Sequence, residues 1–283
     1  MIELLQITAD PAFARRCAAL PGLRLFVDLE RHGKAQRQAG RNSFISTHTL
    51  ADVATVRAAA PGTPLMVRLN PLHAGTAAEI GAALAQGADR LMLPMFDGAG
   101  ALADFCALVA GRVPVTALLE TRGALESVER WAGTPGLDEI YVGLNDLHLS
   151  LGLRFMFEPL ALGLLDRVAA VARAHGRRLG FGGIARLDEG LLSGRDVLAE
   201  HLRLGSQAVI LSRTFQRSDA PEPFEAAVAA LRAAESELAL RSAAEMEADR
   251  LRIAAQIRAI AERLPASASA PAAPAQPAGG GCA

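Results

Sequence analysis

Lysine is nearly absent from this sequence: among the 29 lysine and arginine residues, Lys34 is the single lysine. Catalysis through a lysine imine requires an amine whose pKa is lowered by desolvation. Lys34 lies instead in the polar segment 30–37, which has the composition of a solvated loop. The sequence therefore argues against lysine-imine chemistry.

Cysteine is also scarce. The three cysteines, Cys17, Cys106 and Cys282, are odd in number, widely separated and without the spacing of metal ligands. This pattern disfavours structural disulfides and a cysteine-rich zinc site. Cys17 and Cys106 lie in apolar helical segments, where a thiol usually acts as a small hydrophobic group.

Excess charge and long apolar runs are lacking too. The formal net charge is -1 and the isoelectric point is about 6.6, without the clustered basic face of a nucleic-acid binder. No run reaches the ~18 apolar residues of a membrane span, and the first residues lack the pattern of a signal peptide. These absences predict a cytoplasmic protein with no nucleic-acid or membrane partner.

Eight short apolar runs alternate with helical segments along residues 1–220. This alternation predicts a parallel sheet covered by helices, and eight units predict a closed α/β barrel of the (β/α)₈, or TIM, type as the catalytic domain. The predicted strands are 3–7, 23–28, 65–69, 90–93, 115–119, 139–142, 179–182 and 208–211. The main predicted helices are 77–85, 99–109, 124–132 and 159–175.

Residues 221–264 predict a C-terminal helical extension, either one long helix or a helix pair. Four apolar residues, Ile253, Ile257, Ile260 and Leu264, form one stripe at helical spacing. The stripe could pack on its own barrel, on a neighbouring subunit or in a coiled coil, and its length favours a homo-oligomer. Residues 265–283 are rich in Pro, Ala and Ser and are predicted to be disordered.

The chemistry of a barrel enzyme is expected at the C-terminal ends of its strands. Glu120 follows the fifth predicted strand and Asp146 the sixth, so the two carboxylates can converge. Two carboxylates with open water positions suit Mg²⁺ or Mn²⁺. Arg68, after the third strand, offers a planar fork for a substrate carboxylate. The alternative is that Arg68 forms only a structural salt bridge with an acid.

Candidate general bases lie in the loop after the second strand. His32 and His48 could each act as the base, or each could be a surface histidine. Asp28 and Glu30 point the same way on an extended segment. They could assist the water shell of the metal or orient Arg68 and Lys34, and a role in capping or tethering the loop is an equal alternative. Glycines at 180–183, with Ser212 nearby, are a weak indication of a phosphate site.

Three further stretches stand out at the predicted strand ends: residues 87–95 (GADRLMLPM), 119–125 (LETRGAL) and 143–152 (GLNDLHLSLG). Together they resemble the HpcH/HpaI aldolase and citrate lyase β-subunit family. The resemblance implies a phosphoenolpyruvate/pyruvate-type barrel in which Glu120 and Asp146 hold Mg²⁺ or Mn²⁺. Arg68 would bind the substrate carboxylate, and Gly143 and Asn145 would also contribute to substrate binding. It also implies retro-aldol cleavage through a pyruvate-like enolate, and exchange of the C-terminal helix between subunits.

The sequence departs from the family pattern around the base. The aldolases have Asp-x-Glu-His after the second strand, whereas this chain has Arg31 before His32, so the histidine is displaced by one residue. Leu118 and Leu144 replace the family's glutamine and proline. These differences indicate a separate branch, in which the metal site carries over better than the base.

The predicted function is a divalent-metal-dependent carbon–carbon lyase of the aldolase type that acts on a 2-oxo acid. One alternative is a barrel enzyme that acts on phosphoenolpyruvate or another phosphorylated substrate. Another is a non-catalytic barrel that serves as a scaffold. Glu120, Asp146 and Arg68 argue against the scaffold, whereas the altered loop around His32 leaves it open.

Overall fold

The computed structural model describes residues 1–33, 46–217, 219–220 and 222–265. Lys34 and Cys282, on which two of the interpretations above depend, lie outside these residues, as do residues 266–283 of the predicted tail. Within the described ranges, no helix is both long enough and apolar enough to cross a membrane. Cys17 and Cys106 are buried free thiols, as their apolar surroundings indicate.

The eight strands form one closed parallel barrel in sequence order, with the last strand paired to the first. This confirms the predicted (β/α)₈ fold. The strands are β1 (Glu3–Ile7), β2 (Leu23–Asp28), β3 (Leu65–Arg68), β4 (Arg90–Leu93), β5 (Val115–Leu119), β6 (Leu137–Val142), β7 (Arg178–Ile184) and β8 (Ala208–Leu211).

Helices surround the barrel in the order expected of strand–helix units. They are α1 (Pro11–Ala18), α2 (Leu50–Ala59), α3 (Thr76–Ala85), α4 (Ala99–Val109), α5 (Arg122–Glu126), α6 (Val128–Trp131), α7 (Leu144–Ser150), α8 (Glu158–Ala161), α9 (Leu164–Ala174), α10 (Gly194–Leu204), α11 (Phe224–Leu238) and α12 (Ala243–Arg263). A 3₁₀ helix, Arg213–Gln216, follows β8.

The interior of the barrel is filled by alternate side chains of the strands. Large apolar groups form the middle layer: Leu5, Phe26, Met66, Met92, Leu118 and Tyr141. The Tyr141 hydroxyl donates to the carbonyl of Gly182 at 2.7 Å and accepts the N–H of Ile210 at 2.8 Å. The polar end of this ring is therefore satisfied inside the core.

The N-terminal end of the barrel is closed by a buried ion-pair network. Arg24 binds both carboxylate oxygens of Glu139, at 2.8 and 3.0 Å, and also pairs with Glu3. Arg178 reaches Glu139 at 3.2 Å. Burial alone would raise the pKa of Glu139, but these arginines outweigh it and hold that pKa below its ordinary value. The network forms a charged floor beneath the apolar layer.

The C-terminal extension is a helix pair, α11 and α12. Helix α12 starts at a capping box, in which Ser242 and Glu245 satisfy each other's backbone N–H groups. Ile253 and Ile257 are buried, and α12 packs against α8 and α10 of the same chain. Within a single chain the first half of the stripe is thus covered, whereas Ile260 and Leu264 are only partly buried. The predicted homo-oligomer stays a prediction.

Buried His201 makes the stability of the fold sensitive to acid. Its ring stacks on Phe181, with 3.6 Å between ring centroids, and Nδ1 lies 2.8 Å from the Ser206 hydroxyl. Burial lowers the pKa of His201 to about 3, whereas a histidine in an unfolded chain titrates near ~6.5. Between these values the unfolded state binds more protons, so stability falls as pH drops below about 6.5.

We expect His201 to lower the free energy of unfolding of the wild-type protein by about 2 kcal/mol when the pH falls from roughly 6.5 to 5. Urea denaturation at the two pH values measures the loss. The variant His201→Gln should lose less, because it has no imidazole to protonate. Exposed His175→Gln is the matched control and should keep the wild-type dependence. Equal losses in all three proteins would contradict the prediction.

Candidate active site

Glu120 and Asp146 lie at the C-terminal ends of adjacent strands, as predicted. Glu120 directly follows β5 and is only 3% exposed. Its Oε1 accepts the backbone N–H of Met95 at 3.0 Å. Asp146 lies in the first turn of α7, the helix that follows β6, and is partly exposed. One carboxylate is therefore fixed inside the barrel and the other faces the mouth.

Gly143 makes room for the Glu120 carboxylate. Its N–H donates to the carbonyl of Leu119 at 2.9 Å, which continues the pairing of β5 with β6. A Cβ at this position would lie 3.0 Å from Glu120 Oε2 and 3.1 Å from the Cδ1 of Leu118. A larger residue would push the carboxylate aside. The structure thus gives Gly143 a packing role next to Glu120.

Met95 adopts a left-handed backbone conformation at the site. Its φ of 53° lies in a region that non-glycine residues rarely occupy. The same residue donates its N–H to Glu120, so the unusual backbone aims a hydrogen-bond donor at the buried carboxylate. Backbone strain of this kind concentrates at functional sites. This role of Met95 could not be predicted from the sequence, because methionine is not a residue type that indicates a left-handed backbone conformation.

The pKa of Glu120 is raised to about 8. Burial is the largest cause, and the negative charge of Asp146 is the second. Arg68 acts in the opposite direction, Glu30 raises the pKa further, and the N–H of Met95 lowers it. The site thus disfavours two ionised carboxylates side by side in the absence of a cation.

Arg68 extends from the end of β3 into the same mouth and holds an acid there. Its Nε and Nη2 bind the two oxygens of Asp28 at 2.8 and 2.7 Å. Nη2 also lies 3.4 Å from Glu30. Burial alone would lower the pKa of Arg68, but Asp28, Glu30 and Glu120 together raise it. The salt bridge weighed in the sequence analysis is therefore present, and its main partner is Asp28.

The loop after β2 is anchored from several sides. Ser46 donates its hydroxyl to the carbonyl of Asp28 at 2.9 Å, and His48 Nδ1 accepts the N–H of Asp28 at 3.2 Å. Because Nδ1 of His48 accepts, its proton is carried on Nε2 if the ring is neutral. His48 thus helps to place Asp28, the partner of Arg68.

His32 is exposed at the rim, where its ring contacts that of His73 with 4.8 Å between centroids. The backbone there is held by Asn70, whose Oδ1 accepts the N–H groups of Arg31 and His32 at 2.8 and 3.0 Å. Asn70 in turn donates to Glu79. This role of Asn70 is not among those predicted from the sequence, although a polar residue just after a strand is a signal of a position at the barrel mouth.

We expect Asn70→Ala to loosen the backbone around His32. The variant removes the acceptor of two N–H groups, and such a bond contributes about 1 kcal/mol each. Hydrogen exchange at the Arg31 and His32 amides should become faster. Thr55→Ala, on the exposed face of α2, is the control and should leave exchange at both amides unchanged. Unaltered exchange in Asn70→Ala would show that other contacts hold the loop.

The remaining predicted polar residues have diverse positions. Asn145 is exposed beside Asp146 at the mouth. His148, two residues after Asp146, is buried, with Nδ1 3.1 Å from the carbonyl of Leu144. The hydroxyl of Ser212 contacts the N–H and the hydroxyl of Thr214 in its own turn. The glycines predicted to follow the seventh strand lie within β7 instead, and Gly182 is tightly packed, since a Cβ there would lie 2.9 Å from Leu144.

The donor set suits a hard divalent cation bound by few protein ligands. Within the described residues, no group of three or more His, Cys, Asp or Glu side chains is arranged to hold a metal ion. Two carboxylates that disfavour joint ionisation, Glu120 and Asp146, fit an ion such as Mg²⁺, which keeps several waters. The residues present therefore fit Mg²⁺ or Mn²⁺ better than Zn²⁺.

Comparison with known families gives a match to most of the barrel. The profile of the HpcH/HpaI aldolase/citrate lyase family matches residues 6–179, more than half of the chain. The matched region includes Arg68, Glu120 and Asp146. A search of curated protein sequences found no significant match.

Solved structures share the fold at low sequence identity. An HpcH/HpaI aldolase/citrate lyase family protein from Burkholderia cenocepacia has a TM-score of 0.60 and 19% identity, covering 84% of this chain and 94% of that chain. HpcH/HpaI aldolase from Desulfitobacterium hafniense has 0.58 and 16%, covering 83% and 92%. CitE from Mycobacterium tuberculosis, in complex with magnesium, acetoacetate and coenzyme A, has 0.54 and 18%, covering 90% and 86%.

Proposed function

Because the chain belongs to the HpcH/HpaI aldolase/citrate lyase family, we propose that it is a divalent-metal-dependent carbon–carbon lyase acting on a 2-oxo acid. The observation that carries the proposal is the pair Glu120 and Asp146, placed at the mouth with Arg68 close enough to affect the pKa of Glu120. The magnesium and acetoacetate bound to the M. tuberculosis relative support both the ion and an oxo acid ligand.

Glu120 and Asp146 would hold the ion. A bound Mg²⁺ or Mn²⁺ would supply positive charge next to the carbonyl oxygen of the substrate, where negative charge develops during cleavage. Arg68 would orient the substrate carboxylate. Asp28 occupies its Nε and Nη2 and fixes the guanidinium plane, so Nη1 is the atom that we assign to the substrate.

We assign the general base to His32, which extends from the anchored loop at the rim. Its exposure keeps the imidazole in contact with solvent, so that it can exchange protons between turnovers. His48 is the less favoured candidate, because its Nδ1 already accepts the N–H of Asp28. The direct test of the whole proposal is metal-dependent exchange of the methyl protons of pyruvate with solvent, followed by NMR.

The pKa of Glu120 leads to a prediction about metal affinity. The cation binds the ionised carboxylate, so below about pH 8 binding must displace a proton. Affinity for Mn²⁺ should therefore rise with pH by up to about tenfold per unit below pKa and level off above it. Calorimetry at pH 6.5 in buffers of different ionisation enthalpy should show release of about one proton per ion.

The control for this measurement is Glu120→Gln, which cannot release that proton. Any Mn²⁺ binding that remains should be almost independent of pH between 6.5 and 8. Wild-type affinity that is constant over this interval, with no proton released, would refute the link between Glu120 and the ion.

A further inference from the structure

A cavity opens on the same face of the barrel as Glu120, beside the ends of β1 and β8. Its volume is about 480 Å³. Thr8 from the end of β1, Arg186 from the loop after β7 and Phe215 from the 3₁₀ helix line its inner part. Helices α1 and α11 contribute Phe13 and Phe224. The proposed metal site follows β5 and β6, whereas this cavity lies farther along the barrel rim, at the ends of β7, β8 and β1.

Arg186 is a buried cation in this cavity. The residue is 8% exposed, and its guanidinium donates from Nε to the carbonyl of Thr214 at 2.9 Å. It also lies over the ring of Phe215, 5.8 Å from the centroid. One of the five N–H donors of the guanidinium thus makes a hydrogen bond. The positive charge is stabilised by the face of the Phe215 ring, which is a weaker interaction than an ion pair.

No carboxylate among the described residues lies within ion-pair distance of Arg186. The residues outside the described ranges include no aspartate or glutamate. The other buried arginine of the described chain, Arg24, binds Glu139 and Glu3. Burying a charge without a counter-charge is costly. The unbalanced charge of Arg186 therefore needs an explanation that the protein's own acids do not provide.

Two other arginines line the cavity, and each has its own acid. Arg16 binds both oxygens of Glu225, at 2.8 and 2.9 Å. Arg217 reaches Glu189 at 3.0 Å. Both side chains are far more exposed than Arg186. Arg186 is thus distinguished from its neighbours by burial together with the lack of an acidic partner among the described residues.

The cavity also has two acids, Asp10 and Glu222, and both are exposed at its outer edge. The Oδ1 of Asp10 accepts the N–H of Ala12 at the start of α1. Solvent screens exposed charges of this kind, whereas a buried charge is screened much less. The electrostatics of the inner cavity are therefore governed by Arg186.

The loop that presents Arg186 is tightly packed before any ligand arrives. The Arg186 N–H donates to the hydroxyl of Thr214 at 3.1 Å, and its carbonyl accepts the N–H of Glu189 at 2.9 Å. Gly194, where α10 starts, lies so close that a Cβ there would be 2.5 Å from the carbonyl oxygen of Arg186. A group fixed in this way loses little freedom on binding.

We propose that Arg186 is the anchor of an oxyanion-binding subsite, which takes a phosphate or carboxylate group of a ligand whose apolar part contacts Phe13. Phosphate and carboxylate groups each present two oxygens that the planar guanidinium can bind in a bidentate manner. The loops after the seventh and eighth strands are where barrels frequently bind phosphate. This subsite goes beyond the proposed lyase function, because it requires neither the metal nor Glu120.

The test is calorimetric titration of metal-free protein with inorganic phosphate and, separately, with malonate. We expect at least one of the two to bind with a dissociation constant in the millimolar range, and Arg186→Gln to weaken that binding at least tenfold. Arg217→Gln is the matched control, since it removes the same charge from the same cavity but from a paired arginine. It should change the dissociation constant by less than about twofold.

The outcomes separate the possible ligands and keep the proposal falsifiable. Tighter binding of phosphate identifies a phosphorylated ligand, and tighter binding of malonate identifies a carboxylate. If Arg186→Gln is unfolded by circular dichroism, Arg186→Lys, which keeps the charge but loses the fork, should bind more weakly than wild type. Absence of binding to wild type up to 50 mM, or equal losses in Arg186→Gln and Arg217→Gln, would overturn the proposal. Metal binding at Glu120 is measured apart, so each idea fails on its own.

Discussion

Glu120→Gln and Asp146→Asn are each expected to weaken Mn²⁺ binding at least tenfold, or about 1.4 kcal/mol. Each substitution keeps the size of the side chain but removes a negative oxygen that a hard cation prefers. Glu120→Gln should have the larger effect, because Glu120 is buried and held by the Met95 N–H, whereas Asp146 is partly exposed. Calorimetry with each purified variant measures the change.

Glu126→Gln is the matched control for these variants. Glu126 is exposed on α5, six residues after Glu120, and its nearest ion pair, with Arg122, is 3.8 Å long. Its loss should leave Mn²⁺ affinity within the error of the measurement. The assignment of the site is wrong if either Glu120→Gln or Asp146→Asn binds Mn²⁺ as tightly as wild type while remaining folded.

The protein loaded with Mg²⁺ or Mn²⁺ is expected to exchange the methyl protons of pyruvate for deuterium from solvent. Removal of such a proton is the half-reaction that every aldol partner shares, so the unknown aldehyde is not needed. Chelation should abolish exchange and added metal should restore it, as proton NMR of pyruvate will show. Borohydride should trap no adduct, since the chemistry does not form an imine on Lys34.

His32→Ala should slow this exchange by roughly 10²-fold, the usual scale of general-base catalysis. His175→Ala, on the exposed surface, is the control and should exchange at the wild-type rate. Full exchange in His32→Ala would transfer the role of base to His48. If metal and pyruvate both bind to wild type but no exchange occurs, the lyase proposal fails and a phosphorylated substrate or a non-catalytic barrel becomes the better explanation.

Most strands were predictable because both of their faces are buried. Continuous apolar runs such as those of β2 and β5 have no other place in an α/β fold. The differences arise where that signal weakens. Strand β6 begins at Leu137, before the polar Asp138, and β7 continues to Ile184 through glycines where its register with β8 shifts. A run of glycine carries no periodicity from which to read a strand end.

Two predicted helices are interrupted in the structure. The segment 159–175 is divided at Gly163, whose φ of 71° ends one helical stretch before α9 begins. The segment 124–132 is divided at Ser127, whose hydroxyl donates to the carbonyl of Gly123. Apolar periodicity continues across both breaks, so pattern alone joins what local backbone geometry separates.

The positions of Glu120, Asp146 and Arg68 could be predicted because strand order in a barrel fixes which strand ends are neighbours. Their interactions could not. The ion pair between Arg68 and Asp28 joins β3 to β2. It depends on the strand register, which places the two residues opposite each other, and on the length of the arginine side chain. The lack of an acidic partner for Arg186 among the described residues could not be predicted from the sequence either, because it is a property of three-dimensional packing.

The charged floor closes the N-terminal end of the barrel, so a bound molecule would enter and leave at the C-terminal end. With Arg24 and Glu139 paired beneath the layer that contains Tyr141 and Phe26, a molecule seated beside Glu120 departs toward the side from which it came. In the proposed cleavage, the fragment nearer the mouth would leave first and the fragment beside Glu120 would leave last. In the synthetic direction the order reverses. The order of substrate binding and product release would then depend on how deeply each fragment lies in the barrel, rather than on relative affinity.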